Sequence, residues 1–336
     1  MKDYFRYILD KSGKKHRCPD CGKIRFVRYV DQGTKQYLPE TYGRCDRESN
    51  CGYHLNPYSD RYQTNEPKQY NYKQKAKAQP QPVYFIPEEV LNGTLKGYEN
   101  NVFIQNLLKF APVEEVEKII SLYRIGTIES WEFSGAVTFP FIDKSGNVRT
   151  IQAKQFDTMN HTTRTNFLHS IILRSQNKKG ETLPGWLQDY TKNESFVSCL
   201  FGEHLLNRYP LNPVALVEAP KTALITSLYY GLPETPGALL WLAVYNKSSL
   251  TLDKCKALQG RKVVLFPDLN AYEAWNSKAQ ELRAKLPGTR FVVSDLLEQN
   301  ANETERRSGL DLADYLTRFN YKSFRNEQKA ARIYGN

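Results

Sequence analysis

VALVEAPKTALITSLYYGL (214–232) decides the fold. Four apolar residues, Val214 to Val217, end on an acid, Glu218. Pro220 then opens a segment of helical spacing and Gly231 closes it, the places these two residues favour at helix ends. The pattern repeats downstream. KVVLF (262–266) leads to Asp268 and a helix over 271–286, which Pro287 and Gly288 stop; RFVV (290–293) is a third strand and 312–319 a last helix. Such alternation predicts a parallel sheet with helices on its faces.

Acids stand where these strands end. Glu218 follows the first, Asp268 the second, and Asp311 with Asp314 lies in GLDLADYL (309–316) beyond the third. Carboxyl ends of parallel strands gather at one sheet edge, where open α/β folds build their sites. Carboxylates gathered there suit Mg2+ or Mn2+, with two acids holding metal while a third moves protons. One acid after a strand is ordinary helix N-cap chemistry; recurrence at three successive ends points to a site. Lys221, in the first turn of the first helix, is a candidate phosphate contact.

Upstream, residues 83–212 read as mixed α/β. VEEVEKIISLY (113–123) puts Val113, Val116, Ile119, Ile120 and Tyr123 on one helical face. GAVTFPFIDKSGNVRTIQAKQFD (135–157) reads as two extended runs around the Gly-bearing turn 143–147, a β-hairpin.

Four of the six cysteines cluster, as Cys18-x2-Cys21 and Cys45-x5-Cys51. Clustering, rather than the spread pairs of a disulfide framework, predicts tetrahedral zinc in a reducing compartment. His16 and His54 are near enough in sequence to replace Cys45 as ligand. IRFVRYVDQGTKQYLPETYGRC (24–45) reads as two strands around Asp31, Gln32 and Gly33. Residues 1–60 are therefore expected to form a β zinc ribbon, its metal replacing a core that so short a segment lacks. Around it stand Lys14, Lys15, Arg17, Arg25, Arg28, Arg44 and Arg47, interleaved with Phe26, Tyr29, Tyr42 and Tyr53. Cations for phosphates and ring faces for bases are what single-stranded nucleic acid requires.

Charge agrees with this placement. The net charge is +11, and residues 1–82 hold 17 Lys/Arg against 9 Asp/Glu. A basic first quarter on a near-neutral body suits a polyanion contact at one end. RYQTNEPKQYNYKQKAKAQPQP (61–82) has no apolar period and reads as a flexible basic linker. No apolar run approaches the length of a membrane helix. The charged start MKDYFRYILDKSGKK has no apolar signal core. No GxxxxGK[ST] phosphate loop is present, which argues against a fused ATP-driven motor. The expectation is a cytoplasmic protein with no membrane partner. Cys199 and Cys255 suit buried fillers, and His161, His169 and His204 lack metal-pair spacing.

VEAPKTALITSLYYGL (217–232) resembles the first Toprim motif of bacterial DNA primases, VEGxxDxxxLxxxGI. KVVLFPDLNAYEAW (262–275) resembles the second, with its aspartate pair D-x-D, and GLDLADYL the third, close to KDPDEYL. The hairpin 135–157 is similar to the primase hairpin GRxxFPIxDxxGxxxGFxxR, and CLFGEHLL (199–206) to the LYGLxxA segment ahead of Toprim. The order ribbon, linker, core also matches, so the likeness covers nearly the whole chain. It is similar to small primase-like Toprim proteins of Bacteroidota mobile elements. The resemblance implies that Glu218, Asp268 and Asp311 are catalytic. It implies Mg2+ or Mn2+ held by them with Asn270 and Asp314, and Lys154 and Arg164 facing nucleotide or template. Three positions depart: Asn270 replaces the second aspartate of D-x-D, Ala219 the motif glycine, and Ala313 the middle acid of the third motif. Asn keeps a carbonyl oxygen without the charge, so the implied metal site is short of anions.

The expected architecture is α/β: a zinc ribbon over 1–60, a linker over 61–82, a mixed α/β primase-like subdomain over 83–212, a Toprim-like parallel-sheet domain over 213–319 and a polar tail over 320–336. The expected function is binding of single-stranded DNA and metal-dependent, template-directed joining of nucleoside triphosphates in plasmid or mobile-element replication. A replicative helicase or another replication protein is the expected partner. One rival is a non-enzymatic DNA-binding accessory factor whose Toprim site has decayed, which Asn270 favours. The other is a Toprim nuclease, which the hairpin and ribbon disfavour.

Overall fold

The computed structural model describes residues 5–47, 51–59, 62, 83–129, 133–192, 199–234 and 237–326. The linker expected over 61–82 lies outside these, Tyr62 excepted. The chain divides into two compact units, residues 1–79 with 307–309, and residues 80–306 with 310–336.

In the first unit Tyr7–Leu9 (β1), His16–Arg17 (β2), Ile24–Asp31 (β3), Gly43–Cys45 (β4) and His54–Leu55 (β5) form one antiparallel sheet. Its order is β1-β3-β4-β5, with β2 also on β3. The turn foreseen after β3 closes on Asp31, whose Oδ1 accepts from the Gly33 N–H at 2.8 Å. Phe26, at the middle of β3, is fully buried against Cys18 and Cys45. Gly43 pairs with Arg28 across the ladder, and a Cβ there would collide with the Phe26 ring and the Val27 carbonyl. β1, β2 and β5 are too short to announce themselves as periodic runs.

The second unit carries two sheets. Gly126–Ile128 (β6), Ala136–Ile142 (β7), Val148–Phe156 (β8) and Thr162–Phe167 (β9) pair antiparallel in sequence order. β7 and β8 are the expected hairpin. Asp143 Oδ1 closes its turn by accepting from the N–H groups of Ser145 and Asn147, both at 3.0 Å. Val214–Val217 (β10), Leu240–Ala243 (β11), Lys262–Leu265 (β12) and Arg290–Val293 (β13) are all parallel, in the order β11-β10-β12-β13. The sequence reading has no strand at 240–243. β10 and β11 are buried at every position, as strands covered on both faces must be.

The helix Pro220–Tyr230 lies on β11 and is covered by the helices Val113–Tyr123, Leu312–Leu316 and Tyr321–Asn326. This explains why it is apolar nearly all round. The last of these lies within the segment read as a polar tail, of which 327–336 lie outside the described residues. Tyr321 is buried, and Arg325 donates to the Leu228 carbonyl at 2.9 Å and pairs with Glu115 at 3.0 Å. In the helix Val113–Tyr123 the core face is Val116, Ile119, Leu122 and Tyr123, while Val113 is 53% exposed. The Tyr123 hydroxyl donates to the Trp241 carbonyl at 2.8 Å and meets Ser227 Oγ at 3.1 Å. One cluster of buried side chains runs from Phe103 to Tyr321, so the segments expected as separate subdomains share a core. Among the described residues no helix is long and apolar enough to cross a membrane.

Candidate functional site

The ribbon's chemistry begins with four sulfurs. The ligand atoms of Cys18, Cys21, Cys45 and Cys51 all lie within 4.8 Å of one another. Cys18 and Cys51 are 3.6 Å apart, Cys21 and Cys45 3.9 Å. A tetrahedron with Zn–S near 2.3 Å has edges of about 3.8 Å, so the set fits zinc. Backbone turns aim the thiols. Gly22 N–H donates to the Cys18 carbonyl at 3.0 Å, with Gly22 left-handed at φ 68°. The Lys23 N–H directed at Cys21 lowers that thiol to about 6, while burial raises Cys45 and Cys51. In the second pair Cys51 and Gly52 N–H both donate to the Arg47 carbonyl, which turns the five-residue spacing into a knuckle. His54 Nε2 is instead bonded to the Tyr29 hydroxyl at 3.0 Å, and His16 packs edge-on to Tyr37. The ligand set is the four cysteines.

The basic residues around the ribbon divide by task. Arg17 braces the first knuckle, donating to the Gly22 carbonyl at 3.0 Å. Arg28 is half-buried, donates to the Leu38 carbonyl and lies 5.0 Å from the Tyr37 ring centre. Lys14 stands 6.0 Å over the same ring, and Lys15 pairs with Asp46. Arg25 and Arg44 are exposed and Arg47 half-buried. Of the rings singled out in the sequence, Phe26 and Tyr29 are buried. Other rings reach solvent: Phe5 is 62% and Tyr58 41% exposed, 5.7 Å apart and edge-on. They line a groove of about 530 Å3 together with Tyr7, Lys11, Lys15, Arg44 and the acids Asp10 and Asp46. The Tyr58 hydroxyl accepts from Tyr7 N–H at 2.8 Å and donates to the Tyr7 carbonyl at 3.2 Å, so the ring is held in place. No sequence signal links residues 51 apart.

The acids lie near enough at the carboxyl edge of the parallel sheet for their charges to act on one another. Glu218 is buried at the end of β10. Asp268 follows β12. Burial, then the charges of Glu218 and Asp311, push its carboxyl well above the usual carboxylate range. Asp311 caps the helix Leu312–Leu316, its Oδ1 accepting from Asp314 N–H at 2.9 Å. Its Oδ2 lies 2.9 Å from Lys221 Nζ and accepts from Thr222 Oγ1 at 3.2 Å. Burial would raise Asp311, but the Lys221 charge and these donors hold it below its ordinary value. Lys221 also reaches Asp314 Oδ1 at 3.2 Å. Burial works against its ammonium, yet the two aspartates keep its affinity for the proton above that of an ordinary lysine. Lys154 on β8 is half-buried near the same charges; burial and then Lys221 lower it to about 8, with Asp311 and Asp268 opposing. Arg164 on β9 stacks 4.3 Å over the Phe133 ring.

The departures from the motif have local reasons. Ala219 has an ordinary extended backbone, φ −109°, which needs no glycine. Ala313 is buried in the core, where an acid would be costly. Asn270 is left-handed at φ 70°, a conformation asparagine tolerates. Its Nδ2 donates to the Arg306 carbonyl at 2.6 Å. Among the described residues, only the cysteines bring three or more metal-capable side chains within 4.8 Å. Between Asp311 and Asp314 a divalent ion does not fit as they stand, because Lys221 already lies between them.

Residues 101–269 match a family model described as Domain of unknown function (DUF6371), and residues 5–68 that of a zinc beta-ribbon finger. No curated protein matches the chain. Among solved structures it is similar to the zinc-binding and RNA polymerase domains of the Aquifex aeolicus primase. Identity there is 14%, over 95% of this chain and 79% of that one, at a TM-score of 0.42. The primase fragment of the bacteriophage T7 primase-helicase is 13% identical over 88% of this chain and 98% of that one, at 0.34. A DnaG primase catalytic domain bound to ssDNA is 19% identical over 72% and 68%, at 0.32. At scores this low the likenesses carry no inference about activity.

Proposed function

This chain belongs to the DUF6371 family, and because that family's description assigns no role, we propose one from the chain's own residues: it binds single-stranded DNA through the groove of its zinc ribbon, as a non-enzymatic accessory factor in DNA replication. The observation that carries this reading is a pair of exposed rings, Phe5 and Tyr58, the second fixed by its hydroxyl, beside Lys11, Lys15 and Arg44. A base stacked on an aromatic ring contributes about 1–3 kcal/mol. Exposed cations alongside supply the phosphate contacts and the salt dependence.

Fluorescence anisotropy of the full, zinc-loaded chain with an oligo-dT probe tests this. Phe5→Ala with Tyr58→Ala is expected to weaken binding by about 30-fold or more, from about 1–3 kcal/mol for a base stacked on each of the two rings. Lys15→Gln with Arg44→Gln should instead flatten the slope of log affinity against log salt, by about 0.7 per lost contact. Unchanged affinity in the ring variant, with the protein folded, would remove the groove from the proposal.

A second reading is metal-dependent, template-directed oligonucleotide synthesis in plasmid or mobile-element replication, using nucleoside triphosphates and a helicase partner. What favours it is the gathering of Glu218, Asp268, Asp311 and Lys154 at one edge. A primer-synthesis assay with Mg2+ or Mn2+ decides it. Product that disappears in both Glu218→Gln and Asp268→Asn speaks for synthesis at this edge, and no product from wild type speaks for the accessory role.

A further inference from the structure

We infer that the Lys221 ammonium is the resident cation of the acidic edge, occupying the position a divalent ion would need between Asp311 and Asp314. The contact is bidentate in effect: Nζ lies 2.9 Å from Asp311 Oδ2 and 3.2 Å from Asp314 Oδ1. The Lys221 and Asp311 side chains are only 12% and 13% exposed, so this is no loose surface pair. Every oxygen of Asp311 is already engaged. Oδ1 accepts from Asp314 N–H and Oδ2 from Thr222 Oγ1 as well as Lys221. A metal approaching Asp311 must therefore displace a protein donor and leave a half-buried ammonium beside a dication, which like-charge repulsion opposes.

The chain sets this arrangement by position. Lys221 is the second residue of the helix Pro220–Tyr230, and Asp311 is the N-cap of the helix Leu312–Leu316, two helices packed on one another. The cation thus arrives with the fold and needs no ion from solution. Asn270 belongs to the same logic. Its amide donates to the Arg306 carbonyl, a bond that a carboxylate cannot make, and Asn270→Asp leaves Lys221 between Asp311 and Asp314, so that change does not by itself restore a metal site.

The test is Mn2+ titration of the full, zinc-loaded chain, read by the electron paramagnetic resonance signal of free Mn2+. Wild type and Asn270→Asp are expected to leave the signal of free Mn2+ unchanged. Lys221→Ala should bind one Mn2+ per chain, at least about tenfold more tightly than wild type, and adding Asp311→Asn to it should abolish the gain. If Lys221→Ala does not fold, Lys221→Gln replaces it in the same titration. Wild type that binds one Mn2+ and loses it on Asp311→Asn would overturn the inference. So would a folded Lys221 variant that binds none. These readouts involve no DNA, so they succeed or fail apart from the ribbon proposal.

Discussion

Stripping zinc with a strong chelator is expected to unfold the ribbon and leave the body intact. Among the described residues the ribbon's buried apolar side chains are two clusters of three, Tyr7, Tyr29 and Leu38, and Cys18, Phe26 and Cys45, together with Val27. Two of the second three are ligands, so without metal that cluster falls apart. Zinc contributes on the order of 10 kcal/mol to folding in such units, more than so small a core can replace. Cys45→Ser should act like the chelator. The measurement is clean because all four tryptophans, Trp131, Trp186, Trp241 and Trp275, lie in the body. Tryptophan fluorescence should be unchanged while hydrogen exchange across residues 5–59 rises to that of an unfolded chain. Retained protection there without zinc would show that the ribbon has a core the structure does not reveal.

Acid should destabilise the body through its buried imidazoles. His204 Nε2–H donates to the Leu122 carbonyl, 3.3 Å away. Burial lowers it to about 4, the Leu122 bond opposing and the Arg124 charge adding. Burial alone lowers His169 to about 4. In both, the folded value lies below the unfolded 6.5. Their contribution to stability is thus complete above pH 6.5 and is lost as pH falls from there toward 4, where the unfolded chain takes up protons the folded one refuses. Each costs at most about 3 kcal/mol across that window. Denaturant melts at pH 7 and pH 4 should show His204→Gln losing less stability on acidification than wild type, by up to that amount. Equal losses in the two proteins would assign the acid sensitivity elsewhere.

Much of this protein was legible in its sequence because the signals are local. Cys18, Cys21, Cys45 and Cys51 announce a metal by residue type and clustering. Val214–Val217 followed by Pro220 and Gly231 marks a strand and a helix with their ends. Asp143 to Asn147 marks a turn through the bonds its own side chain makes. β11 escaped because Leu240–Ala243 is a short apolar run, equally good as strand or buried helix until β10 pairs with it. Leu122 rather than Val113 joined the core because the body closes over one side of that helix.

The acids could be placed at strand ends from the sequence, since strand direction fixes the edge to which each is carried. Their partner could not. Lys221 and Asp311 are 90 residues apart, and only the packing of two helix N-termini brings an ammonium between two aspartates. Phe5 and Tyr58 meet in the same way, across a sheet that the zinc-bound turns hold together. Sequence alone determined the zinc ligands, the hairpin and the strands that end on acids. Tertiary structure decided which charges neutralise one another and which rings remain in water, because those depend on contacts between segments that no local pattern records.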